Sequence, residues 1–164
     1  MDTGALVIAR VRAGMQTLGE RLHTTLGRLG PEELAWRPNE ESNSVGNLVV
    51  HTCGFLRQRF HAGFGGAEDD RTRDAEFAAR GPWTAAQLQA LTASTFAEVD
   101  AFLAALDPAR LAERRAIQGR EVVLLDLLLD MLSHVGQHVG QIIYIAKARQ
   151  GGAFASLSIP LPRR

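Results

Sequence analysis

Between Ile8 and Leu29 the apolar residues Ile8, Val11, Met15, Leu18, Leu22, Leu26 and Leu29 recur at every third or fourth position, the period that lines one face of an α-helix. A stripe of that length must be buried against other elements, so the chain is expected to fold around helix–helix contacts. Gly14, Gly19 and Gly27 lower the helix's intrinsic propensity by ~1 kcal/mol each relative to alanine, which leaves packing to stabilise it. Gly30 and Pro31 are expected to end it.

The same period returns in three further segments. Ser44 can cap a second helix that carries Val45, Leu48, Val49, Leu56 and Phe60 inward and closes at Gly65-Gly66. Thr84, with Gln87 three residues on, makes a capping box after Pro82 and opens a third. Its buried stripe is Leu88, Leu91, Thr95, Val99, Phe102 and Leu106, and Asp107-Pro108 stops it. A fourth helix, from about Leu124 to Arg149, is apolar nearly all round at its start and is expected at the centre of the bundle. Lys147 and Arg149 suit the negative end of its dipole, and Gly151 supplies its stop. No internal repeat or main sheet competes with this pattern, which predicts an all-α four-helix bundle. The RRAIQGREVV stretch from Arg114 reads either as a small hairpin around Gln118-Gly119 or as a helix-to-helix loop.

The 164 residues fit a single domain spanning 1–164, and at that size roughly 70% of the unfolded chain's surface can be buried. The 18 basic residues balance the 18 acidic ones, so no net field draws nucleic acid or an anionic membrane. No run reaches the ~18 apolar residues of a membrane span, and MDTGALVIARVRAG lacks the apolar core of a signal peptide. A cytoplasmic location is the expectation. Cys53, the one cysteine, cannot pair within the chain and reads as a buried core filler. The tail GGAFASLSIPLPRR is apolar, broken by prolines, and expected to drape over the bundle.

His134 and His138 stand four residues apart on the fourth helix, so their Cβ atoms lie ~5–6 Å apart on one face, suited to joint coordination of a metal ion. His51, in the middle of the second helix, would complete a three-histidine site if the two helices are neighbours. Partly exposed polar residues, or core histidines with satisfied hydrogen bonds, would show the same spacing. HVGQH lacks the glutamate of HExxH, and with it a metalloprotease's general base. Asp130, one turn before His134, is a candidate to accept the other N–H of a ligand imidazole. Asn47, Gln137 and Gln141 are candidates to steady the imidazoles or orient a substrate, and Asn47 and Gln58 need partners if they face inward. His23 and His61 read as surface residues. Gly136 and Gly140 leave a groove for a close backbone, either of this chain or of a second subunit. From Gly65 to Trp83 runs a long charged connection with room for a helical turn. Its Arg71–Phe77 segment reads first as solvated charge, Arg73, Asp74 and Glu76 included, and otherwise as a loop closing over the site.

WRPNEESNSVGNLVVHTCGFLRQRF, RTRDAEF and HVGQHVGQIIYIAK together resemble the DinB-like metalloprotein superfamily, the group of YfiT-type proteins and bacillithiol transferases, in an uncharacterised domain-of-unknown-function branch. The resemblance runs from Trp36 to Pro160. It implies a four-helix bundle, a homodimer, and a divalent metal, zinc or nickel, on His51, His134 and His138. The resemblance assigns no reaction, and the ligand residues leave two functional classes open. One is a metal-dependent enzyme of thiol-transferase or hydrolase kind acting on a small molecule. The other is a non-catalytic dimeric metal-binding scaffold with a stress-related or interaction role.

Overall fold

The computed structural model describes residues 2–64, 71–117 and 119–154. Four long helices dominate: α1 (Thr3–Leu26), α3 (Val45–Arg57), α5 (Ala85–Ala105) and α6 (Leu124–Gln150). Between them lie the short helices α2 (Pro31–Ala35) and α4 (Arg73–Ala78), and the strands β1 (Arg114–Ile117) and β2 (Arg120–Val123). Beyond Arg57 the chain stays helical with π geometry over Gln58–Phe64.

Cap chemistry places the helix starts. Asp2 accepts a hydrogen bond from the Ala5 N–H at the head of α1, Ser44 from Asn47 at α3, and Thr84 from Gln87 at α5. Each satisfies an N–H that has no partner within its helix. α1 stops one turn before the expected Gly30-Pro31. Gly27 caps it by donating to the His23 carbonyl, and Pro31 instead opens α2, where its missing N–H costs nothing. At the far end Gly151 adopts φ 54°, a left-handed conformation suited to glycine, and ends α6.

α1 and α3 each pack against both α5 and α6, so the four long helices form a square with α3 and α6 side by side. α6 therefore occupies a corner, not the centre that its leucine-rich start suggests. Leu124, Leu128, Met131, Val135, Val139 and Ile142 point inward along it, while Leu129 is 49% exposed. On α5, Thr92 and Leu103 are buried, whereas Leu91 and Phe102, expected inward, are half-buried against the core. The RRAIQGREVV stretch is a hairpin, antiparallel in the register Arg114↔Val123 to Ile117↔Arg120. Its Gln118, like Gly65-Gly66 and the tail from Ala155, lies outside the described residues. Phe154, the last described residue of that tail, is buried with the Arg28 guanidinium over its ring.

α4 lies against α3, and Asn47 fastens it there. Its Nδ2 donates to the carbonyls of Glu76 at 2.7 Å and Ala79 at 2.8 Å, and its Oδ1 accepts from Ser44 Oγ and Arg37. No described helix is long and apolar enough to cross a membrane.

Candidate metal centre

Because α3 and α6 are neighbours, the three histidines singled out from the sequence meet. His51 Nε2 lies 3.2 Å from His134 Nε2, and His138 Nε2 lies 3.1 Å from it. One ligand atom from each of the three residues lies within 4.8 Å of the other two, the sole such group of His, Cys, Asp and Glu among the described residues. Nitrogens bound at ~2.0–2.1 Å in a tetrahedral shell are separated by little more than 3 Å, so the spacing is that of one ion's ligands.

His51 Nδ1 stands 3.1 Å from Glu76 Oε2 and His138 Nδ1 stands 2.8 Å from Gln141 Oε1. Both neighbours can accept a proton from Nδ1, and Arg71 Nη2 also stands 3.2 Å from His51 Nδ1; the tautomer that donates Nδ1–H to Glu76 and to Gln141 leaves both Nε2 atoms with lone pairs. The remaining Nε2, on His134, has one proton at most and can satisfy one of its two neighbours. A cation among the three nitrogens resolves the leftover repulsion, and the donor set fits a divalent ion.

The side chains behind His51 form a chain of their own. Arg71 donates to both Glu76 oxygens, Nε to Oε1 and Nη2 to Oε2, each at 2.8 Å, and Nη1 donates to Gln58 Oε1 at 2.8 Å. Glu76 and the Arg71 head are nearly buried. Gly54 makes the room: a methyl group there would overlap Glu76 Oε1. Phenylalanines cover two of the imidazoles. Phe55 stacks on His134 with centroids 4.0 Å apart, and Phe77 of α4 leans on His51 at 4.6 Å.

Burial pushes His51 down to about 4, against the upward pull of its bond to Glu76, with His138 and Arg71 adding to the fall. His134 falls to about 4 as well, through burial first and then its histidine neighbours. Both rings are thus neutral at neutral pH, the state in which imidazole binds metal.

The remaining sequence candidates divide. Gln141 holds His138, and Asn47 holds α4 and so places Glu76. Asp130 does not do what the sequence suggested: it is exposed and makes no hydrogen bond to a histidine among the described residues. Its place is taken by Glu76, which a charge-rich segment concealed. Gln137 is exposed on the wall of a cavity of about 410 Å³ that opens beside His51 and His134. Asp74 is exposed, as a solvated charge should be, but Glu76 is buried and overturns that reading of the segment. His23 and His61 are exposed as expected. Gly136 and Gly140 meet nothing within 4 Å, so no described part of this chain fills their groove.

Among solved structures the chain resembles a DinB-like protein from Bacillus cereus, at 17% identity over 83% of this chain and 87% of that one, with a TM-score of 0.66. That likeness establishes a DinB-like all-α fold. No curated protein matches the chain. The family described as "Protein of unknown function (DUF1572)" matches residues 2–163, and the chain belongs to that family.

Proposed function

We propose that this protein binds one divalent metal ion, zinc or nickel, through Nε2 of His51, His134 and His138, and uses it as a metal-dependent enzyme of transferase or hydrolase kind on a small-molecule electrophile. The observation that carries the reading is the convergence of three Nε2 atoms, with an acceptor, Glu76 or Gln141, beside Nδ1 of two of the rings. Imidazole nitrogens suit both metals. An ion so held would lower the pKa of a bound water or thiol and supply a nucleophile near neutral pH. The protein's own residues do the rest: Glu76 and Gln141 fix the imidazoles of His51 and His138, Phe77 and Phe55 cover those of His51 and His134, and the adjoining cavity admits a ligand.

No fourth His, Cys, Asp or Glu joins the three among the described residues, which favours an open coordination position over a sealed structural site. A homodimer is part of the same reading, supported by the open Gly136–Gly140 groove and the neighbouring exposed Leu129 and Tyr144 on α6. Metal analysis of protein purified without a histidine tag should give about one ion per chain, and His138→Ala should lose most of it. Full occupancy in a variant lacking all three histidines would refute the site. Consumption of thiols and cleavage of esters should require metal and vanish in His51→Ala with helical content intact; if no metal gives turnover, the scaffold reading replaces the enzyme.

A further inference from the structure

A second cavity reaches the metal centre at His138. Its volume is about 340 Å³, and it opens between the segment that leads into α3 and the C-terminal half of α6, with His138 and Gln141 in its wall. It shares no lining residue with the cavity beside His51 and His134, so His138 fronts one space and the other two imidazoles front another. The volume lies within the range of small-molecule sites, which pair an apolar lining with a few polar groups that fix orientation. Leu48 and Ile145, both buried, and the ring of Tyr144, 75% exposed, supply the apolar part.

Two amides supply the polar part. Gln141 turns Oε1 to His138 Nδ1 at 2.8 Å, which leaves its Nε2 donors over, and they make no hydrogen bond among the described residues. Half-buried Asn43 brings an amide donor and an amide acceptor to the same cavity. Neither is hydrogen-bonded among the described residues, and a ligand that pairs with them recovers what their partial burial costs. We propose that this cavity binds an uncharged molecule carrying a planar ring and an amide or carbonyl group, the ring against Tyr144, Leu48 and Ile145 and the polar group between Asn43 and Gln141. Because Gln141 also holds His138, such a ligand lies next to the ion; its part in the reaction rests on the metal reading above, whereas the cavity is built without metal. Asn43 and Tyr144 are specificity-determining residues, and neither is a metal ligand.

Isotope-labelled, metal-free, full-length protein is titrated in the magnetic resonance spectrometer with three probes: benzamide, benzyl alcohol, which keeps the ring without the carbonyl, and acetamide, which keeps the amide without the ring. Benzamide should move the side-chain amide signals of Asn43 and Gln141 and bind about tenfold more tightly than either fragment. Asn43→Ala and Tyr144→Ala should each weaken it about tenfold, and Tyr144→Phe should retain it. Tyr144 is exposed and Asn43 unbonded, so both alanine variants should keep the helical content of the parent, which circular dichroism checks. Amide signals that stay in place up to the solubility limit of benzamide, or fragments that bind as tightly as benzamide, overturn the site. So does benzamide binding that survives in both alanine variants; a Tyr144 that serves only a contact between subunits would change sedimentation in Tyr144→Ala and leave benzamide binding intact. With cobalt(II)-loaded protein the benzamide protons should relax faster beside the paramagnetic ion. Protein that takes up no cobalt overturns the metal reading and leaves the metal-free titration to decide the cavity, whereas bound benzamide that the bound cobalt does not relax overturns its place next to the ion.

Discussion

Glu76 is the side chain on which the centre's proton arrangement turns, because its Oε2 lies 3.1 Å from His51 Nδ1 and can accept the proton there. Glu76→Gln keeps the size but removes the charge that Arg71 faces, and it should weaken metal binding about 10- to 100-fold. Asp130→Asn should leave metal affinity near that of the parent, since Asp130 touches no imidazole. A competitive chelator titration reads both, and equal losses would show that proximity of any carboxylate is enough. In the metal-free protein His51 and His134 have pKa values depressed to about 4 from 6.5. The unfolded chain therefore binds more protons between those values, and stability should fall as pH drops from about 6.5 to 4 and level off below. Urea midpoints across that range check it, and His51→Ala with His134→Ala should flatten the slope. The histidines were legible from sequence because helical spacing is a local property. Glu76 was not, since it lies 25 residues from its partner in a segment whose charges look solvated. A signal was present all the same: Gly54, one turn after His51 inside a helix, is costly there unless something must approach closely, and Glu76 is what approaches.

At the scale of elements, α4 acts as a strap across α3, and Asn47 is its clasp. Its amide serves the cap of α3 and two carbonyls of the α4 segment at once. Asn47→Ala would strand those carbonyls at about 1–3 kcal/mol for each left buried and unpaired, and would loosen Glu76 and Phe77 together. The expected outcome is a lower urea midpoint accompanied by weaker metal binding, although Asn47 is no ligand. Unchanged amide exchange over 73–78 in that variant would show that the strap is held by something else. Helix starts were readable because a cap is a conversation among residues three apart, as at Ser44 and at Thr84 with Gln87. The corner position of α6 was not, because a leucine-rich face records how much apolar surface exists and not how many helices cover it. The hairpin at Arg114–Val123 stood between two readings for a related reason: strands of four residues carry too little alternation to exclude a loop.

On the scale of the whole molecule, the three histidines join α3 to α6, segments 83 residues apart in sequence at His51 and His134. The packing of α3 against α6 already brings the nitrogens together in the folded chain, whereas the unfolded chain would have to close that long loop to do so. A bound ion should thus stabilise the native state almost exclusively. At a free metal concentration 100 times its Kd the gain is about 2.7 kcal/mol, which for a domain of this size corresponds to a rise in Tm of ~5–10 °C. Thermal unfolding followed by circular dichroism should show that rise with zinc or nickel and its reversal by chelator. His134→Ala should abolish most of the shift, because it removes the nitrogen that both others face. Its own Tm without metal should fall little or even rise, since the substitution also ends the close approach of lone pairs at the centre. A variant that lost Tm in the absence of metal but kept the full metal-induced rise would mean that His134 packs the bundle and the ion binds elsewhere.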